Sequence, residues 1–310
     1  MRRTIALLAA LFVVPAGAQA ASPRAIQVAS GIQDGKLTYV LKGQQVLIQG
    51  ARPFAGDGFV TATVTSHGRQ VVARAKLRGK VGAVGGVKLH FTARRTGTYR
   101  IAIRVFKDAD PQHLVAGKVI AVHSVDPNVH AGAHGLGVRL LQRGLRSLAY
   151  VAPLNSSFDA ATGRAVLAFR KVNNMARTMS ADHSVLSKLF RRQGGFTLRY
   201  PNAGKHVEFD WARQVLVFAE GGQPVRIYHA SSGKPSTPTV FGTFHFYSKT
   251  LGTNAKGMVD SNYFIRGYAV HGYAEVPPYA ASHGCIRVPI PDAASIFAWI
   301  QIGDPIFIYR

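Results

Sequence analysis

The chain of 310 residues contains one cysteine, Cys285, and it lies directly after His283-Gly284. A second histidine, His271, precedes it by fourteen residues and is followed by Gly272. A thiol attacks a carbonyl only as thiolate, and a free cysteine with a pKa of about 8.5 is mostly protonated at neutral pH. An imidazole brought near the sulfur by a hairpin or bent loop supplies the missing base. An imidazole within hydrogen-bond reach also favours the thiolate, so the spacing predicts a Cys285 pKa below the ordinary value. Gly272 and Gly284 leave room for backbone conformations and close approaches that a Cβ blocks. Together these residues outline a covalent acyl-transfer site.

Two other readings compete. A lone cysteine is often a small buried hydrophobe. His and Cys also bind zinc, but the chain has no second cysteine and no CxxC or HExxH pair to complete four ligands. The expectation is therefore no metal and no cofactor.

Ser282-His283-Gly284-Cys285-Ile286-Arg287, preceded by Ala269-Val270-His271-Gly272, resembles the signature of the L,D-transpeptidase (YkuD-type) catalytic domain of bacterial cell-wall enzymes. The resemblance extends to Tyr263-Phe264, Pro291-Asp292-Ala293 and the closing Gly303 to Ile308, and covers residues 205–310. It implies that Cys285 is the nucleophile and His271 its base, with the Gly272 carbonyl orienting the imidazole. It also implies that backbone N–H groups around His283, Gly284 and Cys285 hold the oxyanion. Arg287 is expected to pair with a substrate carboxylate, and Ser282 and Tyr263 to contribute to substrate binding. The implied reaction forms a thioester with a peptidoglycan stem tetrapeptide, which an amine acceptor resolves into a cross-link. Water as acceptor would make the enzyme an L,D-carboxypeptidase, and a degenerate site would leave a non-catalytic wall-binding protein.

The elements that must position these residues read as strands. Gln214 to Phe218, the turn Gly221-Gly222 and Val225 to Tyr228 form an expected hairpin, Gly242 to Phe246 a further strand, and Asp292 to Ile300 the one helix, with Pro291 at its mouth. Upstream the period is helical. Val138, Leu141, Leu145 and Leu148 define one helix, Ala165, Val166 and Phe169 mark a second near Asp159, and a third is expected from Ala181 to Phe190, capped by Ser180. Gly137-Val138 with Leu141-Gln142, Leu145, Leu148 and Tyr150, followed by Phe158-Asp159, Thr162, Ala165-Val166 and Phe169, resembles the small three-helix peptidoglycan-binding domain, over residues 134–195. They depart from it at Ala160, where glycine is usual, and at Arg170, where glutamine is usual. Ser124 to Ala133 reads as a linker.

Residues 24–123 hold short alternating runs at 45–49, 59–65, 87–92 and 98–105, as an antiparallel sandwich requires. The turn from Arg95 to Tyr99 resembles immunoglobulin-like modules. Residues 1–20 carry Arg2-Arg3, ten apolar residues from Ile5 to Val14 and Ala18-Gln19-Ala20, the pattern of a secretory signal peptide. That run is shorter than the roughly 20 residues of a membrane span. The expected fold is multi-domain and mainly β, and the expected location is outside the cytoplasm, in the cell wall or periplasm, with no transmembrane segment after cleavage.

The chain carries 38 Lys and Arg against 14 Asp and Glu, a net charge of +24. A field of that size favours polyanions. Peptidoglycan stem peptides and anionic wall polymers are the candidate partners, and a scattered solvated surface is the alternative. No helix-turn-helix, RNA-binding or zinc-finger signature points to nucleic acid.

Overall fold

Along Phe59–Ser66, Val60, Ala62 and Val64 are buried while Thr61, Thr63 and Thr65 face outward, the period of two that a half-buried strand needs. The computed structural model describes residues 26–310 except 83, 109 and 111. The expected signal peptide, residues 1–20, lies outside the described residues. Within 26–125 the strands form two sheets over one core. Gln27–Val28, Gln45–Ala51 and Val84–Thr92 make the smaller sheet. The larger runs Ile32–Asp34, Leu37–Leu41, Leu114–Val125, Gly97–Phe106, Phe59–Ser66 and Arg69–Lys76 in spatial order. One pairing departs from the antiparallel expectation: Leu37–Leu41 runs parallel to Leu114–Val125. The latter strand carries the ladder through Ser124 and Val125, so the connecting segment begins two residues later than its composition suggests.

Three helices come next: α1 (Leu136–Ser147), α2 (Ala160–Val172) and α3 (His183–Phe190). Asp159 caps α2 by accepting the Thr162 N–H at 2.8 Å. The third helix starts later than predicted. Asp182, not Ser180, caps it, accepting from the Val185 N–H at 3.1 Å, while the Ser180 carbonyl accepts from Arg170 Nε at 2.7 Å. Arg170, 4 % exposed, thus holds the α2–α3 connection together.

These helices share a buried cluster with the C-terminal strands, where the sequence predicts a domain of their own. Leu141, Leu145, Val166 and Phe169 lie in one buried cluster with Val215, Val217, Ala219 and Ile227. The Lys171 amine, 2 % exposed and with its pKa lowered to about 6 by burial, crosses this junction to donate to the carbonyls of Gln214 (3.0 Å) and Ala230 (2.9 Å). Arg164 on α2 also pairs with Asp292 at 3.2 Å.

The C-terminal part has a five-stranded sheet, in spatial order Gln223–His229, Val215–Glu220, His206–Asp210, Pro305–Tyr309 and Gly242–His245. A four-stranded sheet of Ser248–Thr253, Val259–Ile265, Tyr268–Tyr273 and Ile286–Pro289 packs on it. Gly221 and Gly222, with φ of 58° and 74°, make the tight hairpin turn predicted for them. Helix α4 (Ile290–Trp299) begins two residues before its expected start and keeps Pro291 and Asp292 in its first turn. Among the described residues no helix is long and apolar enough to cross a membrane.

Candidate active site

The strands Tyr268–Tyr273 and Ile286–Pro289 are parallel neighbours, with His271 opposite Arg287. Val270, Ile286 and Val288 enter the core between the sheets. Strand alternation then turns His271, Tyr273, Cys285 and Arg287 to the other face. There they line one cavity of about 350 Å3, closed on one side by Lys256 and Met258. Fourteen residues of sequence separation are thus collapsed by one parallel pairing.

The turn before the cysteine is held by its own atoms. The Ser282 hydroxyl donates to the Cys285 carbonyl at 2.5 Å and accepts from the Gly284 N–H at 3.1 Å. Gly284 has φ of +119°, and a Cβ there would lie 2.2 Å from Tyr268 Cε1, so two independent constraints demand glycine. A second segment cradles the turn from outside. Ser231 exchanges backbone hydrogen bonds with Arg287, and Ala281 and Ser282 both donate to the Ser232 carbonyl. Thr239 Oγ1 donates to the Gly284 carbonyl at 2.7 Å. With the Gly284 N–H engaged, the N–H groups of His283 and Cys285 are the ones left without an acceptor among the described residues.

His271 is 3 % exposed, and its Nδ1 lies 2.9 Å from the Gly272 carbonyl. A carbonyl only accepts, so Nδ1 carries the proton and Nε2 presents its lone pair. Burial lowers the imidazole pKa most, the Gly272 bond opposes this, and the Arg287 charge lowers it further. The Cys285 thiol is half-buried and donates to the Gly267 carbonyl at 3.7 Å. Burial pushes its pKa up, against smaller lowering effects from the Ala269 backbone, Arg287 and Lys256. The resting pair is therefore neutral thiol with neutral imidazole. This corrects the expectation of a resting thiolate: desolvation penalises the charged form of each group, and the sulfur is bonded to a carbonyl rather than to the imidazole.

Residues 204–308 match the family model for the L,D-transpeptidase catalytic domain, YkuD. Among solved structures, an L,D-transpeptidase from Xylanimonas cellulosilytica is 30 % identical with a TM-score of 0.55; the match covers 59 % of this chain and 100 % of that one. The chain belongs to the L,D-transpeptidase family. It is also 34 % identical over 114 residues to L,D-transpeptidase 1 of Mycobacterium tuberculosis, a match covering 28 % of this chain and 43 % of that protein. The chain thus spans less than half the length of its curated relatives.

The predicted residues fall in four places. His271, Cys285 and Arg287 share the cavity, with the Arg287 guanidinium stacked 3.9 Å over the Tyr273 ring. His283 is exposed at the cavity edge, and the Ser282 hydroxyl is engaged within the turn. Gly272 packs against α4, where a Cβ would lie 2.7 Å from Ala293 Cβ. Tyr263 sits opposite Ala269 on the neighbouring strand but does not line the cavity; its ring lies 6.5 Å from that of Tyr247. Sequence reasoning missed Lys256, Tyr273 and the Ser231–Thr239 cradle. Tyr273 could have been found, because it lies two residues beyond His271 on the same strand face. Lys256 and Thr239 have no local signal, since distant loops bring them in.

Proposed function

We propose that this chain is an exported cell-wall enzyme that forms a Cys285 thioester with a peptidoglycan stem tetrapeptide and transfers it to an amine. The observation that carries this reading is the shared cavity, in which a thiol and an imidazole with a free Nε2 face the same space. Lys256 and Arg287 line it and, among the described residues, no carboxylate does, so it favours a substrate bearing carboxylates. The Arg287 guanidinium, stacked on Tyr273, offers its fork to one of them.

The scissile carbonyl joins an L-centre to the terminal D-residue. Substrate displaces water, His271 Nε2 takes the thiol proton, and sulfur bonds to the carbonyl carbon. The N–H groups of His283 and Cys285 stabilise the oxyanion. Collapse breaks the C–N bond, His271 returns the proton to the leaving amine, and a thioester remains. The amine of a neighbouring stem attacks it, loses a proton to His271, and the thiol is regenerated. Gly272 orients the base, while Ser282 and Gly284 set the turn that aims the sulfur. The helical segment 134–195 holds the catalytic sheets and contributes to wall binding, residues 24–123 act as a docking module, and residues 1–20 direct export.

The test is product analysis by mass spectrometry after incubation with purified disaccharide tetrapeptide, using wild type and Cys285→Ala. Cross-linked dimer with release of the terminal D-residue, lost in Cys285→Ala, is the expected result. Tripeptide without dimer would assign an L,D-carboxypeptidase, and unchanged substrate would leave a wall-binding protein.

A further inference from the structure

The outward face of the six-stranded sheet has no part in the chemistry above. Residues 26–125 carry 15 Lys and Arg against 4 Asp and no Glu, so this part of the chain holds a large share of the positive charge. The strand register arranges some of it in order. Thr61 lies between Arg74 on one neighbour and Arg104 on the other; Thr63 lies between Val72 and Ala102, and Thr65 between Gln70 and Arg100. Three threonine hydroxyls thus form a column at intervals of about 6.7 Å, with Arg74 and Arg104 about 10 Å apart across it and Arg100 about 13 Å from Arg104 along it. Arg74 is fixed flat, 3.7 Å over the Phe59 ring, which itself stacks on Phe106 at 4.8 Å. Lys76 extends the basic edge, and no carboxylate projects from these three strands. The next acids along the chain, Asp108 and Asp110, lie in the turn beyond Phe106, where Asp108 pairs with His113 at 2.7 Å.

We propose that this face binds a linear phosphodiester polyanion, which lies along the threonine column with its phosphates held by Arg74, Arg100 and Arg104. Guanidinium forks match phosphate oxygens, and hydroxyls between them donate to the remaining ones. A lipid surface fits less well. Membrane-seated faces present several aromatic or large apolar side chains, whereas Phe59 and Phe106 are each 7 % exposed, and on these three strands Val72 is the one large apolar side chain exposed on this face, with Val119 beside it on the next strand.

The test uses the full chain and synthetic poly(glycerol phosphate), with affinity measured by fluorescence anisotropy across a salt series. Arg74→Gln, Arg100→Gln and Arg104→Gln combined should weaken binding at least about tenfold and reduce the salt slope by about 2, the value for three lost contacts on a single strand. Thr61→Val, Thr63→Val and Thr65→Val, which preserve strand propensity, should weaken it severalfold with melting temperature unchanged. A charge-matched control, Lys36→Gln, Lys80→Gln and Arg191→Gln combined, should change it less than twofold. Equal losses in the control and the arginine variant would overturn the proposal in favour of diffuse attraction. Equal affinity for poly-γ-glutamate would overturn the phosphate assignment. Tighter binding to phosphatidylglycerol vesicles, lost in the same arginine variant, would reassign the face to a lipid surface.

Discussion

Alkylation of Cys285 by iodoacetamide, monitored against pH, tests the neutral resting pair directly. Because burial raises the thiol pKa, its thiolate fraction at pH 7 lies below the roughly 3 % of a free cysteine with a pKa of about 8.5. The reaction should therefore be slower at pH 7 than with a short cysteine peptide, and its midpoint should lie higher. Arg287→Ala removes a cation that favours the thiolate. Residues 285 and 287 share a strand face about 7 Å apart. At effective dielectric constants of 20 to 80 their interaction is about 0.6–2.4 kcal/mol, and losing it moves the midpoint up. Below both midpoints the variant should react about 3–50 times more slowly than wild type, in line with that difference. His271→Gln, by contrast, should leave alkylation of the free enzyme within about twofold while abolishing transfer, since the imidazole makes no bond to the resting sulfur. A midpoint below that of the peptide, or a large slowing in His271→Gln, would refute this reasoning and restore a resting ion pair.

The packing sets three further outcomes. Gly284→Ala should destabilise the chain by about 1–3 kcal/mol through its left-handed φ alone, with the Tyr268 clash added, and circular dichroism melting should show it. Ser282→Ala strands the Gly284 N–H and frees the Cys285 carbonyl, so kcat should fall while KM changes little; a loss confined to KM would return Ser282 to substrate binding. Deleting residues 134–192 uncovers Val215, Val217 and Ile227, so near-ultraviolet circular dichroism and turnover of soluble stem peptides should collapse together; a folded, active remainder would show the helices to be separable after all.

Local chemistry and local period were legible in the chain itself. The lone Cys285, the His271-Gly272 pair and the Ser282 to Arg287 run pointed to a candidate nucleophile, a candidate base and a cation, and the fold brings Cys285, His271 and Arg287 to one cavity. The hairpin at Gly221-Gly222, the apolar sets of α1 and α2 and the four alternating runs before residue 106 were legible because turn chemistry and burial periodicity act over a few residues. The cap of α3 was not legible in the same way: Ser180 and Asp182 are both capping residue types, and the fold chose Asp182, which accepts from the Val185 N–H.

Tertiary structure decided the rest. A parallel pairing set His271 beside Arg287, and the Ser231–Thr239 segment and Lys256 entered the site from distant loops that no motif marks. The charge state of the pair also waited on the fold. Sequence proximity suggested mutual ionisation, but desolvation lowers the imidazole pKa against the opposing Gly272 bond and raises the thiol pKa, and desolvation depends on what packs over the two groups. Likewise Ala165, Val166 and Phe169 announced an apolar helix face without naming its partner, because hydrophobic burial is non-directional. That the partner includes Val215, Val217 and Ile227 of the catalytic sheet is a property of the assembled core alone.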